Sequence, residues 1–484
     1  MCNTKEETLD PVNWEKMTAL GHRMLDDMMK YLKTIRNQPY LPPTDEAVKK
    51  ILAPLPKKGD GEEKVYNIFR EHIIPYSIKF VRPDFWGMVA GTGSPFGMLT
   101  DMAISGNNSG SILLFFINNH AIEWLKELLE YPKEAGGVFV SGGSEANFTG
   151  LAVARNAKAE TDVKVEGMQG VTKKMTLYCS DEAHDCLDRS VELLGFGNGA
   201  LRRIPTNEDH QMDIVLLEKE IHRDRERGHH PFCVIGTAGT VHTGAFDDLN
   251  AVADLCEIEN LWFHVDGAFG AWVKLSETHK HLVDGLERAD SLAVDLHKWM
   301  NMPYALGFTL VKNREAHFST FVYGHDAEYI KTGMDNLGDA LKNPFNLSLA
   351  LSRPDYGLKA YMLLRAYGRD KYSNLVQQNI DQIHYLVELV REEISMEITA
   401  PVVSNIVCFR YVYDGLSEAE LEKLNRMILS ELWKINLWMI TDTTVKGKYM
   451  LRACNVNHRS KREDFDTLIE MVKKIGAKLE KEII

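Results

Sequence analysis

The sequence offers little toward a disulfide framework, a membrane anchor or a nucleic-acid partner. Its seven cysteines, Cys2, Cys179, Cys186, Cys233, Cys256, Cys408 and Cys454, include no Cys-x-x-Cys pair. Several lie in apolar runs such as Ile406-Val407-Cys408-Phe409. They read as reduced core thiols, not as disulfide or zinc ligands, and no metal site is expected. No stretch approaches the roughly 18 to 20 apolar residues that a membrane span needs. The polar start, Met1-Cys2-Asn3-Thr4-Lys5-Glu6-Glu7, has no signal-peptide core. A soluble, cytoplasmic protein is the expectation. There is no excess of positive charge: the net charge of −13 argues against nucleic acid or an anionic membrane surface as partner. Internal repeats and low-complexity segments are also missing.

What remains is ample material for a core. The chain of 484 residues, 44% of them hydrophobic, suits about two or three compact units. Residues 12 to 35 place Trp14, Met17, Leu20, Met24, Met28 and Leu32 near helical spacing. Pro39 to Pro43 breaks that helix, and a second helical patch over 61 to 74 ends at Pro75. This front segment, 1–84, has no core of its own and is expected to pack on a larger surface, such as a partner subunit. From about 85 to 315 strand and helix alternate, within a large domain expected over 85–355. Strand candidates are 138–140, 175–179, 232–236, 261–265, 291–296 and 307–311. Such alternation implies βαβ units and a mostly parallel central sheet flanked by helices, an α/β fold. Over 356–484 a connecting helix (356 to 393) precedes a smaller α+β unit. That unit has strands at 405–411 and 449–456, a helix over 417–433 capped by Ser417 and Glu420, and a last helix at 461–482.

The two most telling residues are Asp266, closing the run Leu261-Trp262-Phe263-His264-Val265, and Lys298, following Ser291-Leu292-Ala293-Val294-Asp295-Leu296-His297. Both fall at the carboxyl ends of buried strands, where open α/β sheets place their ligands. One lysine and one carboxylate there suit pyridoxal 5′-phosphate (PLP). The lysine can join the aldehyde as a Schiff base, and the carboxylate can keep the pyridine nitrogen protonated. Gly142-Gly143-Ser144 lies between a strand and a helix start, a place where free N–H groups hold phosphate. No Gly-Lys-Ser/Thr follows, so it is not a Walker A loop. His184 follows the strand at 175–179 and could lie flat on a cofactor ring. Thr240 follows the strand at 232–236, and Ala268 leaves room for a flat ring beside Asp266. Each has an ordinary reading alone: a tight turn, a loop histidine, a satisfied turn hydroxyl, a capping aspartate, a surface lysine. Their occurrence in one order, each at a strand end, is hard to explain by those readings together.

On the segments Ser141-Gly142-Gly143-Ser144-Glu145-Ala146-Asn147, Asp181-Glu182-Ala183-His184, Thr237-Ala238-Gly239-Thr240, His264-Val265-Asp266-Gly267-Ala268-Phe269 and Asp295-Leu296-His297-Lys298-Trp299, the chain resembles the group II PLP-dependent amino-acid decarboxylases of fold type I. These are the enzymes of the aromatic-L-amino-acid, glutamate and histidine decarboxylase type. The resemblance covers about residues 65 to 415. It implies a homodimer with its active site at the subunit interface, a small C-terminal domain and swapped N-terminal helices. It also implies decarboxylation of an L-amino acid to the amine and CO2, through a Schiff base on Lys298 and a quinonoid intermediate. Asp266 would pair with the ring nitrogen, His184 would stack on the ring and Ala268 would lie on its other face. Gly142, Gly143, Ser144, Thr240, Asp295 and His297 would complete the cofactor site. Arg353 matches an arginine near the family's site, and Arg82, Trp86, Met88 and Phe345 are expected near substrate.

The chain departs from the family pattern in three places. Arg82-Pro83 stands where the family has His-Pro, and Val241 and His242 follow Thr240 where a second threonine is usual. The family's mobile loop carries a proton-donating tyrosine, yet no tyrosine occurs between Tyr329 and Tyr356; Pro344 or Phe345 falls near its position. In plant relatives a phenylalanine there accompanies oxidative conversion to an aldehyde. The resemblance therefore leaves three outcomes open: decarboxylation with another acid (His325, Tyr323 or a water), aldehyde formation with oxygen, or another PLP carbon–carbon lyase or aldolase reaction. A PLP-binding protein without turnover is the non-enzymatic alternative, against which the intact Lys298, Asp266 and His184 speak.

Overall fold

Apolar runs bounded by turn residues form the central sheet, because each must bury both faces. The computed structural model describes residues 7–108, 112–322, 346–435 and 440–483. Seven strands, β1 (Gly136–Val140), β2 (Met175–Ser180), β3 (Leu201–Ile204), β4 (His230–Thr237), β5 (Trp262–Asp266), β6 (Ser291–Asp295) and β7 (Gly307–Val311), lie in the order β1-β7-β6-β5-β4-β2-β3. From β6 through β3 all pairings are parallel. Only β7 runs against its neighbours β1 and β6. The carboxyl ends of β1, β2, β4, β5 and β6 therefore share one edge. Helices that include Gly143–Lys158 and Leu249–Glu259 pack against the sheet.

A second sheet is antiparallel throughout, in the order β10-β11-β9-β8, from β8 (Met396–Ile398), β9 (Ile406–Tyr411), β10 (Thr441–Val445) and β11 (Lys448–Cys454). The helices Glu418–Lys434 and Arg462–Ile483 cover one face. The capping box expected at Ser417 and Glu420 is formed. The connecting helix Tyr356–Arg391 is interrupted at Gly368, whose φ of 71° needs glycine.

Three strands escaped the sequence reading. β3 reads Leu-Arg-Arg-Ile; its arginines are held by Asp224 and Asp188, so charge masked a sheet strand. β10 is Thr-Asp-Thr-Thr-Val, half solvated, and β8 spans only three residues. The front helix Trp14–Lys33 buries only Leu20 and leaves Trp14 64% exposed. The six described cysteines are free and buried; Cys2 lies outside the described residues. Among the described residues no helix is long and apolar enough to cross a membrane.

Candidate active site

A cavity of about 360 Å³ opens at the shared strand edge. Its wall begins with the turn from β1 into the helix Gly143–Lys158. No side chain caps that helix at Gly142, so its first N–H groups are left to a ligand. Only glycine fits there: a methyl at Gly143 would lie 2.7 Å from Asp295 Oδ2, and one at Gly142 would lie 2.9 Å from the His297 ring. Ser144 lines the same wall.

Asp266 ends β5 and Lys298 follows β6, and both face the cavity. Asp266 Oδ1 accepts the Ala268 N–H at 3.2 Å, which fixes the carboxylate against the turn. Lys298 Nζ lies 3.0 Å from Asp295 Oδ2. Burial opposes the Lys298 charge, but Asp295 and then Asp266 outweigh it and hold the pKa above the usual lysine value. Two histidines are fixed as single tautomers. The Cys186 N–H donates to His184 Nδ1 at 3.0 Å, and the Leu306 N–H to His297 Nδ1 at 3.1 Å. Each ring then carries its proton on Nε2. Burial keeps His297 below the ordinary histidine pKa.

Beneath the cavity runs a buried chain of hydrogen bonds. Trp262 Nε1 donates to Ser291 Oγ (2.8 Å), and Ser291 pairs with His264 Nδ1 (2.7 Å). His264 Nε2 then faces Asn147 Oδ1 at 2.8 Å, and Asn147 Nδ2 donates to the Gly143 carbonyl at 3.0 Å. Because the Asn147 oxygen can only accept, the His264 proton sits on Nε2, and Nδ1 accepts from the Ser291 hydroxyl. The phosphate-type turn is thereby tied to β5 and β6. Burial lowers the His264 pKa to about 4, so the imidazole stays neutral.

The structure brings together all ten residues expected around a cofactor: the Gly142–Ser144 turn, His184, Thr240, Asp266, Ala268, Asp295, His297 and Lys298. Thr240 spends its hydroxyl on the turn, accepting from Ala245 N and pairing with Thr243. Thr237, Cys186 and Asn147 also line the cavity. Their signals lay in the sequence beside His184, in the helix after the glycine turn and in the 237–240 stretch, but none has a residue type that demands a ligand. Thr237 Oγ1 and Asp295 Oδ1 are buried with no hydrogen-bond partner among the described residues. With the glycine cradle, the paired lysine and the carboxylate, these free acceptor and donor atoms suit a flat, phosphorylated aldehyde such as PLP.

The expected substrate contacts fare differently. Trp86 is fully buried in the C-terminal core, stacked on Phe465 at 4.2 Å, with Nε1 donating to Ser460 Oγ. Arg82 is also buried; it pairs with Asp84 and lies over the Tyr40 ring at 4.9 Å. Arg353 donates to the Phe139 carbonyl and Ser348 Oγ, bracing β1. None of these three lines the cavity, nor does Met88, which is half exposed. Aromatic and charged side chains in a strap between two units were needed for packing, which a linear sequence does not separate from ligand contact. Phe345, Pro344, His325 and Tyr323 lie outside the described residues.

Comparison with known proteins places this geometry. Residues 48–412 match the family described as pyridoxal-dependent decarboxylase conserved domain. An aromatic-L-amino-acid decarboxylase of Bacillus atrophaeus is 30% identical over 96% of this chain and 95% of its own length. A phenylacetaldehyde synthase of Arabidopsis thaliana is 25% identical over 94% of each. The crystal structure of Oryza sativa TDC with PLP and tryptamine superimposes with a TM-score of 0.89 at 24% identity, covering 98% of this chain and 100% of that one.

Proposed function

The chain belongs to the pyridoxal-dependent decarboxylase family, a family of PLP-dependent carboxy-lyases, and from that premise we propose that it removes the α-carboxylate of an L-amino acid as CO2. The observation that carries this reading is that Lys298 and Asp266 face one cavity walled by an uncapped glycine turn. Bound there, PLP supplies a cationic ring that accepts the electron pair left when a bond to the substrate α-carbon breaks.

Each residue then has a task set by its own chemistry. Lys298 supplies the nitrogen that carries the cofactor and takes it back when product leaves. Asp266, anchored by the Ala268 N–H, holds a proton on the ring nitrogen. His184 offers its ring, positioned by the Cys186 N–H, to stack on the cofactor. Ser144, the N–H groups at Gly143 and the Nε2–H of His297 hold the phosphate. Ala268 keeps the other ring face clear. The active unit is a homodimer; the exposed Trp14 and Met24 on a helix that buries only Leu20 support this, since such a face needs a cover.

A second reading, aldehyde formation with oxygen consumption, is favoured by one observation: no tyrosine lies between Tyr329 and Tyr356. The Arabidopsis thaliana relative that is named an aldehyde synthase belongs to the same comparison. Purified holoenzyme would be incubated in air with a panel of amino acids beginning with the aromatic ones, products identified by mass spectrometry and dissolved oxygen followed. Amine without oxygen loss is the expected result. Aldehyde with oxygen loss would replace it with the second reading, and no turnover across the panel would refute both.

A further inference from the structure

Asp295 ends β6 three residues before Lys298, and its side chain is 1% exposed. Backbone closes over it: a methyl at Gly143 or Gly307 would come within 2.7 Å of its oxygens. Oδ1 has no hydrogen-bond partner among the described residues, while Oδ2 lies 3.0 Å from Lys298 Nζ. His297 Nδ1 stands 3.7 Å from Oδ1, but that nitrogen already accepts the Leu306 N–H and carries no proton. Lys298 is therefore the one cation within ion-pair reach of Asp295 among the described residues. A carboxylate sealed from water with a single counter-charge resists any change that neutralises that charge.

Joining Lys298 to the cofactor aldehyde does not remove it. The amine nitrogen bonds to the aldehyde carbon and the carbonyl oxygen leaves as water. Two of the three ammonium protons go with the oxygen, and the third stays on a C=N nitrogen that keeps its positive charge. We propose that Asp295 is a positioning residue that holds this proton on the Lys298 nitrogen, before the cofactor is joined and after. This rests on the reading of Lys298 as the attachment point.

The other groups facing Lys298 do not take over this role. Asp266 is the second carboxylate acting on Lys298, after Asp295, and in the proposed reading it would be engaged by the ring nitrogen. The thiols of Cys186 and Cys454 and the Tyr304 phenol are pushed up by burial and stay neutral. His297 is pushed down by burial and is neutral as well.

The test is an absorbance titration of the PLP-loaded protein, because the visible band of a lysine-linked cofactor reports whether its nitrogen is protonated. Wild-type protein should stay protonated to a higher pH than a simple lysine–PLP adduct in water. Asp295→Asn should lower the midpoint by roughly 1 to 3 pH units, the effect of one opposite charge at close range. Asp295→Ser and Asp295→Ala give the same comparison if the amide variant does not fold. An unmoved midpoint, or a wild-type midpoint equal to that of the free adduct, overturns the assignment. Loss of the band in every Asp295 variant with the fold kept would also overturn it, in favour of a role in holding phosphate. A wild-type protein that shows no lysine-linked band, or a Lys298→Ala protein that keeps it, refutes the attachment reading instead.

Discussion

Replacing Trp86 by alanine decides whether this residue belongs to the substrate, as its sequence setting suggests, or to the core. Its indole is fully buried and lies nearly parallel to the Phe465 ring, 4.2 Å between centroids and 14° between planes. Its Nε1–H donates to Ser460 Oγ at 2.9 Å, and Ser460 in turn donates to the Pro83 carbonyl. Deleting a fully buried tryptophan side chain costs about 3 to 5 kcal/mol, and the stacked pair places this site in the upper part of that range. Trp86→Phe keeps a ring against Phe465 and gives up the Nε1–H bond, worth about 1 kcal/mol, plus part of the packing. Urea unfolding of the holoprotein, followed by circular dichroism, should therefore rank the midpoints wild type, then Trp86→Phe, then Trp86→Ala, with a wide gap before the last. KM of the surviving folded fraction should change little. A Trp86→Ala protein with the wild-type midpoint and a raised KM would refute the packing argument.

Gly143→Ala should weaken cofactor binding more than it weakens the fold, because the new methyl would press on the Asp295 carboxylate and on Ala268 at the mouth of the cradle; equilibrium dialysis of PLP would show it, and unchanged affinity would refute the close fit. Acid should destabilise the protein as pH falls from about 6.5 to about 4. Burial lowers the pKa of His264, His317 and His458 to about 4, so across that window the unfolded chain binds more protons than the folded one. Each can cost up to roughly 3 kcal/mol at the acid end. Asp247, raised by burial to about 6, works the other way, stabilising the fold as pH falls through 6. Among these four groups the losses outweigh the gain, so the urea midpoint should fall with pH, and a midpoint independent of pH would sink this account.

The central sheet and its ligand edge were legible because both rest on short-range pattern. Apolar runs marked six of the seven large-sheet strands, and Asp266 and Lys298 stood out because charged groups seldom follow such runs without a purpose. β3, β8 and β10 were hidden because their arginines, threonines or brevity give no apolar run. That Trp86 and Arg82 pack away from the described cavity was not legible for a different reason. Their partners, Phe465 for one and Tyr40 with Asp84 for the other, are set by tertiary contact. An aromatic near a site motif looks the same whether it faces a ligand or a helix hundreds of positions away. The carboxylate of Asp295 was placed at the cofactor from its motif, but its lack of a second donor among the described residues is a property of packing alone.

The Trp86 slot also orders events during synthesis. Its floor is Phe465 and its polar anchor is Ser460, and the Cys454 N–H donates to the Trp86 carbonyl. All three lie near the far end of the chain. At typical elongation rates of about 5 to 20 residues per second, the tryptophan waits on the order of 20 to 80 s for its partners to be made. In that interval a large indole has no home, and the core around it cannot close until the helix Arg462–Ile483 has been made.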